Sequence, residues 1–139
     1  MQLQIFKEVL MADASVAIQK AIYSALNGNI GSGVGVYNFT PQNTPYPYVV
    51  IGGNEIISDD FFVERKSECF FYISVWSQEK GNKQVLEIIS AIDTALHRKK
   101  LPLEFGAMID CIVKRKSNNL DADGVTYMGN VTVNIMVEY

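Results

Sequence analysis

The run that closes the chain limits the possible folds more than any other segment. Val125, Tyr127, Val131, Val133, Ile135, Val137 and Tyr139 share one parity, whereas Thr126, Asn130, Thr132, Asn134 and Glu138 share the other. Side chains alternate sides along a β-strand, so this pattern predicts a strand with one buried face and one face meeting water or a polar partner. Antiparallel sheets accept such one-sided burial; parallel sheets are covered on both faces. Met108 to Lys116 is expected to pair with this strand across Asp121-Ala122-Asp123-Gly124. Asp-Gly supplies the positive φ angles that a tight turn needs.

The remaining elements read in the same way. A first helix is expected over much of Asp13 to Leu26, with Asp13 as N-cap and Asn27-Gly28-Asn29 as the stop. Ala14, Ile18, Ala21, Ile22, Ala25 and Leu26 fall at three-and-four spacing and make one apolar stripe. Residues 3 to 11 either extend this helix or form a separate amphipathic piece. Val34 to Phe39 reads as a short edge strand weakened by Gly35. Tyr48 to about Ile57, bounded by Pro47, is the next strand, and Ser58 to Lys66 is a polar turn region. Ser67 to Ser77 is the longest apolar strand, with Cys69, Phe71, Ile73 and Val75 on one face and Phe70, Tyr72 and Trp76 on the other. Both faces are apolar, which predicts a central strand at least partly covered on both sides. A second helix over Asn82 to Arg98 carries a stripe of Val85, Leu86, Ile88, Ile89, Ile92 and Leu96, and Leu101-Pro102 is expected to end it. The order α-β-β-β-α-β-β predicts an α+β fold: a mostly antiparallel sheet of four to five strands with two helices packed on one face. No repeat or linker is visible, so one domain over residues 1–139 is expected.

Composition removes several functional classes. With 48% hydrophobic and 19% charged residues the chain is globular rather than disordered, and a net charge of -3 gives no global field for nucleic-acid phosphates. The local basic runs Arg98-Lys99-Lys100 and Lys114-Arg115-Lys116 read as solvated faces, the first at a helix end that favours cations. No run approaches a membrane span of about 18 apolar residues. Met1 to Glu8 carries an acid and lacks a basic stretch followed by a long apolar one, so no signal peptide and a cytoplasmic protein are expected. Cys69 and Cys111 lie in apolar strand-like runs and read as buried free thiols, with a disulfide between them left open by sequence.

Residue chemistry offers no catalytic, cofactor or metal constellation. Gly31-Ser32-Gly33-Val34-Gly35 resembles a phosphate-cradling loop, but it follows a helix and opens a strand, the reverse of what such loops require. Asp121 to Gly124 begins like a calcium loop but has Thr132 at the twelfth position, where a bidentate Glu belongs. His97 is the only histidine, has no Ser or Cys motif beside it, and is expected to cap a helix C-terminus. Asp59, Asp60 and Glu64 read as ordinary loop acids. No enzyme is expected, and no cofactor.

One segment stands apart. Phe61, Phe62 and Val63 lie inside the charged connection, followed by Glu64 and Arg65. Either an aromatic folds back over the core edge, or the strands run longer and meet in a tight turn, or the group anchors in a partner's pocket. Aromatics within a polar rim dominate protein interfaces, so these five residues are candidate interface residues. Val36 and Tyr37 are candidates too, because a short edge strand can be completed by another subunit.

Four features carry a resemblance across residues 14–137. They are the first helix ending Tyr23-Ser24-Ala25-Leu26, the Val36-Tyr37 run, the Pro45-Tyr46-Pro47-Tyr48-Val49-Val50-Ile51-Gly52 strand entry, and Ile73-Ser74-Val75-Trp76-Ser77 leading into a helix that ends Ala95-Leu96-His97. Together they resemble the small tail completion (tail terminator) proteins of tailed phages and prophages. The resemblance implies a structural virion protein, without catalytic residues, that caps the tail tube as a ring, often sixfold. It implies tail tube protein and head-tail connector proteins as partners, self-association into a homo-oligomer, no specific nucleic acid and no membrane. The place implied is the host bacterial cytoplasm during assembly, then the head-proximal end of the tail. The short Ser58–Lys66 connection and the extra N-terminal residues depart from the family pattern. Two alternatives stand beside this reading: another neck or head-closure protein, or a small-ligand-binding accessory domain using Tyr37, Tyr46 and Tyr48 as a pocket wall.

Overall fold

A computed structural model describes residues 14–39, 42–61 and 64–138. The elements run α1 (Ser15–Leu26), β1 (Gly35–Tyr37), β2 (Tyr48–Phe61), β3 (Glu64–Ser77), α2 (Lys83–Leu96), β4 (Ala107–Leu120) and β5 (Tyr127–Glu138). The five strands form one sheet in the order β1-β2-β3-β5-β4. β1 pairs with β2 in parallel, and the other three pairings are antiparallel. Order and class are those the sequence predicts.

One face of the sheet makes the core. Ile51, Cys69, Phe71, Ile73, Val75, Val131, Val133, Ile135 and Val137 are all at most 2% exposed and lie beneath the helices. Helix α1 contributes Ala17, Ile18, Ala21, Ile22 and Leu26, and α2 contributes Val85, Ile88, Ile89, Ile92 and Leu96. Leu86, expected in the α2 stripe, is 45% exposed on the helix's outer side. The reason is angular: Leu86 lies about 100° from Val85, at 3.6 residues per turn.

The opposite sheet face has no helix over it among the described residues. Phe70 and Trp76 are half-buried there and Tyr72 is exposed. β3 is the central strand, as expected, and its second face is partly covered. Apolar side chains on the second face are shielded by cross-strand neighbours, Phe70 by Glu55 and Asn134, Trp76 by Tyr48 and Met128.

Helix ends also differ from expectation. Asp13 lies outside the described residues, and the N-cap position of α1 is Ala14, with no side-chain cap. At the other end Asn27 donates its N–H to the Tyr23 carbonyl, Gly28 takes φ +80°, and Asn29 Nδ2 donates to the Ala25 carbonyl, so the expected stop is the real one. Helix α2 ends before Leu101-Pro102. Arg98 takes φ +59° and donates its N–H to the Cys111 carbonyl at 2.7 Å, turning the chain onto β4. His97 is the C-cap of α2, and its Nδ1 accepts the Val113 N–H at 3.1 Å.

Both hairpins are longer than their polar residues suggest. β2 and β3 run through the predicted turn to the pairing Phe61↔Glu64, interrupted by one bulge between Ile51 and Asn54. Gly52 and Gly53 form that bulge opposite Tyr72, and a Cβ on Gly52 would come within 3.1 Å of the Tyr72 carbonyl. β4 continues to Leu120, beyond the predicted Lys116, with bulges at Ile109 and Lys114. Val125, placed in the alternating face by its parity, is 55% exposed in the turn.

Asp123 organises that turn. Val125 N and Thr126 N donate to its Oδ1 at 2.9 and 2.8 Å, and Thr126 Oγ1 donates to its Oδ2 at 2.6 Å. The Thr126 hydroxyl, followed by the two backbone N–H groups, holds the Asp123 carboxyl below its ordinary value of 3.8. A depressed folded pKa means the contribution to stability is present above the unfolded value and is lost as pH falls through the folded one. Asp123→Asn is thus expected to lower the thermal midpoint at neutral pH. The gap from wild type should narrow below about pH 4. A gap of constant size across that range, followed by circular dichroism, would count against a role for the ionised carboxylate.

Candidate protein-interaction site

No group of three or more metal-ligating side chains occurs among the described residues. Cys69 and Cys111 are both buried and neither is in a disulfide, each facing Ile135 from opposite sides of β5. Two strand spacings therefore separate them, about 9.5 Å, beyond the roughly 7 Å at which a disulfide can close. Burial, with the Asp110 charge adding, pushes the Cys111 thiol up to about 12, so it remains protonated and unreactive.

The surfaces that could meet a protein are three. The first is the β1 edge. Val36 is 5% exposed and belongs to the core, so only its backbone is offered at the edge. Tyr37 is half-buried, edge-on to Tyr48 with ring centroids 6.4 Å apart. Tyr48 in turn stacks on its cross-strand partner Trp76 at 6.3 Å, and Tyr46 lies 5.1 Å from Tyr48 beside the cis Tyr46–Pro47 peptide. Burial, then the neighbouring Tyr46, raises the Tyr48 pKa. Between β1 and α1 runs an apolar groove of about 540 Å³ lined by Val16, Tyr23, Val36, Tyr37 and Phe39. Phe39 is 68% exposed at its rim. Of the three tyrosines considered as a pocket wall, Tyr37 lines this groove and Tyr46 and Tyr48 do not. Val16 and Tyr23 are seven residues apart, outside the core stripe of α1. That second stripe was legible in the sequence as a pair of apolar residues two turns apart.

The second surface is the end of the β2–β3 hairpin. Phe61 closes β2 and Glu64 opens β3, opposite each other, with Asp60 opposite Arg65 and Asp59 opposite Lys66. Phe62 and Val63 lie outside the described residues, as do the side chains of Asp59, Asp60, Phe61, Glu64 and Arg65.

The third surface is the far edge of the sheet, β4. Lys116 Nζ meets Asp93 Oδ2 at 2.6 Å and Arg98 meets Asp110 at 2.6 Å, tying α2 and its following turn to the strand. Both pairs are largely solvated and contribute little, about 0–1 kcal/mol each. Lys114 and Arg115 are exposed. The two basic runs are thus partly neutralised, and they converge on one edge, which their separation in sequence did not reveal.

A two-layer α+β protein whose notable features are sheet edges, an aromatic end and an apolar groove belongs among binding and assembly proteins. The comparisons give the particular family. A family model described as "Tail completion protein gp17" matches residues 8–138, and the chain belongs to that family. It is therefore a structural protein of phage tails. Two solved chains share its fold. A chain in the virion of a native gene transfer agent particle superposes with a TM-score of 0.83 at 19% identity, covering 92% of this chain and 99% of that one. A second superposes with a TM-score of 0.53 at 14% identity, covering 89% of this chain and 92% of that one. Among curated proteins no relative matches at a significant level. No described helix is long and apolar enough to cross a membrane.

Proposed function

We propose that this chain completes the head-proximal end of a phage tail. Identical subunits close the tail tube as a ring, sixfold in the simplest case, and present a surface to the head-tail connector proteins. The observation that carries this reading is the family match over residues 8–138. A fold shared with a chain of a gene transfer agent virion supports it. In this role the chain works without a cofactor, acts as no enzyme and contacts neither membrane nor specific nucleic acid. It assembles in the host bacterial cytoplasm and then stays in the virion.

The candidate contacts follow from the fold. The β2–β3 ladder runs two residue pairs past the Lys66↔Glu138 pairing, and the sequence segment Phe61, Phe62, Val63, Glu64 and Arg65 at that point is the contact assigned to a neighbour or the tube. Val36 and Tyr37 offer a second contact at the β1 edge. The test is addition of purified protein to tail tubes that lack it, viewed by electron microscopy. Added density at one tube end is the expected result. Binding to isolated head connectors with bare tubes left undecorated would move the protein to a head-closure position. No binding to either would overturn the reading.

A further inference from the structure

The sheet has two open edges of opposite charge. On one side β1 covers β2 only at Tyr48, Val49 and Val50, so among the described residues nothing pairs with the outer edge of β2 from Asn54 to Phe61. That edge reads Asn54-Glu55-Ile56-Ile57-Ser58-Asp59-Asp60-Phe61: three acids and no base. On the other side β4 is covered as far as Val113, where His97 and Arg98 bind its backbone. Beyond the bulge at Lys114 its outer edge is open among the described residues, reading Arg115-Lys116-Ser117-Asn118-Asn119-Leu120.

Unpaired strand edges invite pairing, and proteins either blunt them or give them a partner. Neither edge here is blunted by proline. Ile57 is 50% exposed on the first and Leu120 is 47% exposed on the second. Two acidic edges repel each other, as do two basic ones, so the charges disfavour symmetric pairing and favour unlike edges. A contact between unlike surfaces repeats from copy to copy and closes into a ring when the rotation allows.

We infer that the open β2 edge of one copy pairs antiparallel with the open β4 edge of the next. Antiparallel pairing sets Arg115 and Lys116 beside Asp59 and Asp60. It also runs Ser117–Leu120 along Glu55 to Ser58. The parallel alternative would leave Asp59 and Asp60 beside Asn119 and Leu120, uncompensated. This inference rests on the ring of the proposed function and names the contact that builds it.

The experiment uses two charge-reversed full-length chains, Arg115→Glu/Lys116→Glu and Asp59→Lys/Asp60→Lys, with mass measured by light scattering over a wide concentration range. Thermal unfolding of each checks that it folds. Wild type is expected to form one discrete oligomer. Each variant alone should stay monomeric at concentrations at least about a hundredfold above the wild-type midpoint, since like charges brought together cost several kcal/mol. An equimolar mixture should regain the wild-type mass, because each variant then offers its reversed edge to a complementary edge of the other. Variants that keep the wild-type mass would overturn the edge contact and leave the ring standing. Loss of assembly that the mixture does not restore would also overturn it. A wild type monomeric at every concentration would overturn self-pairing, while tube-end binding would still decide the proposed function separately.

Discussion

Phe71→Ala is expected to lower the unfolding free energy by about 3–5 kcal/mol, the range for removing a buried aromatic. Phe71 is 2% exposed and heads the fully buried side chains by volume. It sits mid-sheet on the core face, between Asn54 on β2 and Val133 on β5. The strand backbone there is locked by ladders on both sides, so the neighbours cannot collapse far into the space left behind. Cost depends on that collapse, which argues for the upper part of the range. Domains of this size are stable by about 5–15 kcal/mol in total. The variant should melt about 10 °C or more below wild type by calorimetry. A drop of less than about 3 °C would mean that the core repacks around the vacancy.

Gly129→Val is expected to be the next most damaging change, although valine has the higher strand propensity. Gly129 lies on the core face of β5 opposite Val75, directly beneath α2. A Cβ there would sit 2.8 Å from both Val85 Cγ2 and Ile89 Cδ1. Valine adds two methyl groups beyond that Cβ, so α2 must lift or its side chains must leave their rotamers, at about 1–3 kcal/mol. The diagnostic is a double-mutant cycle with Gly129→Ala and Val85→Ala. Removing Cγ2 makes room for the new Cβ, so the two changes together should cost at least about 0.5 kcal/mol less than their sum. Additive costs in urea unfolding would show that Val85 does not limit the space above the glycine.

The β2–β3 hairpin shows where the reading of residues stopped short. Six of the nine residues from Ser58 to Lys66 are polar or charged, which argues for a turn. Yet Asp59 stands opposite Lys66 and Asp60 opposite Arg65 in the β2–β3 ladder. Opposite charges paired across strands favour the ladder, and that mirrored order was available in the sequence. Treating polarity as a turn signal concealed it. The interface residues were less legible for a different reason. Val36 lies in the edge strand β1, as its sequence predicts, while its side chain packs into the core. The α1–β1 groove joins residues of two elements whose relative placement no local pattern encodes. Likewise, Lys114 to Lys116 reads as one more solvated run until the sheet order makes β4 an edge.

The sequence by itself determined the element order, the fold class and the apolar stripes of both helices. Those properties follow from periodicity and side-chain chemistry, which act over a few residues. The resemblance borne by its motifs also pointed to the tail completion family to which the chain belongs. Tertiary structure decided the strand order β1-β2-β3-β5-β4 and, among the described residues, left one sheet face without a helix over it. It also separated Cys69 from Cys111 by a whole strand and set an acidic edge and a basic edge at opposite sides of one sheet. Those outcomes depend on which strands become neighbours. That choice is made by the burial of the whole core at once rather than by any single segment.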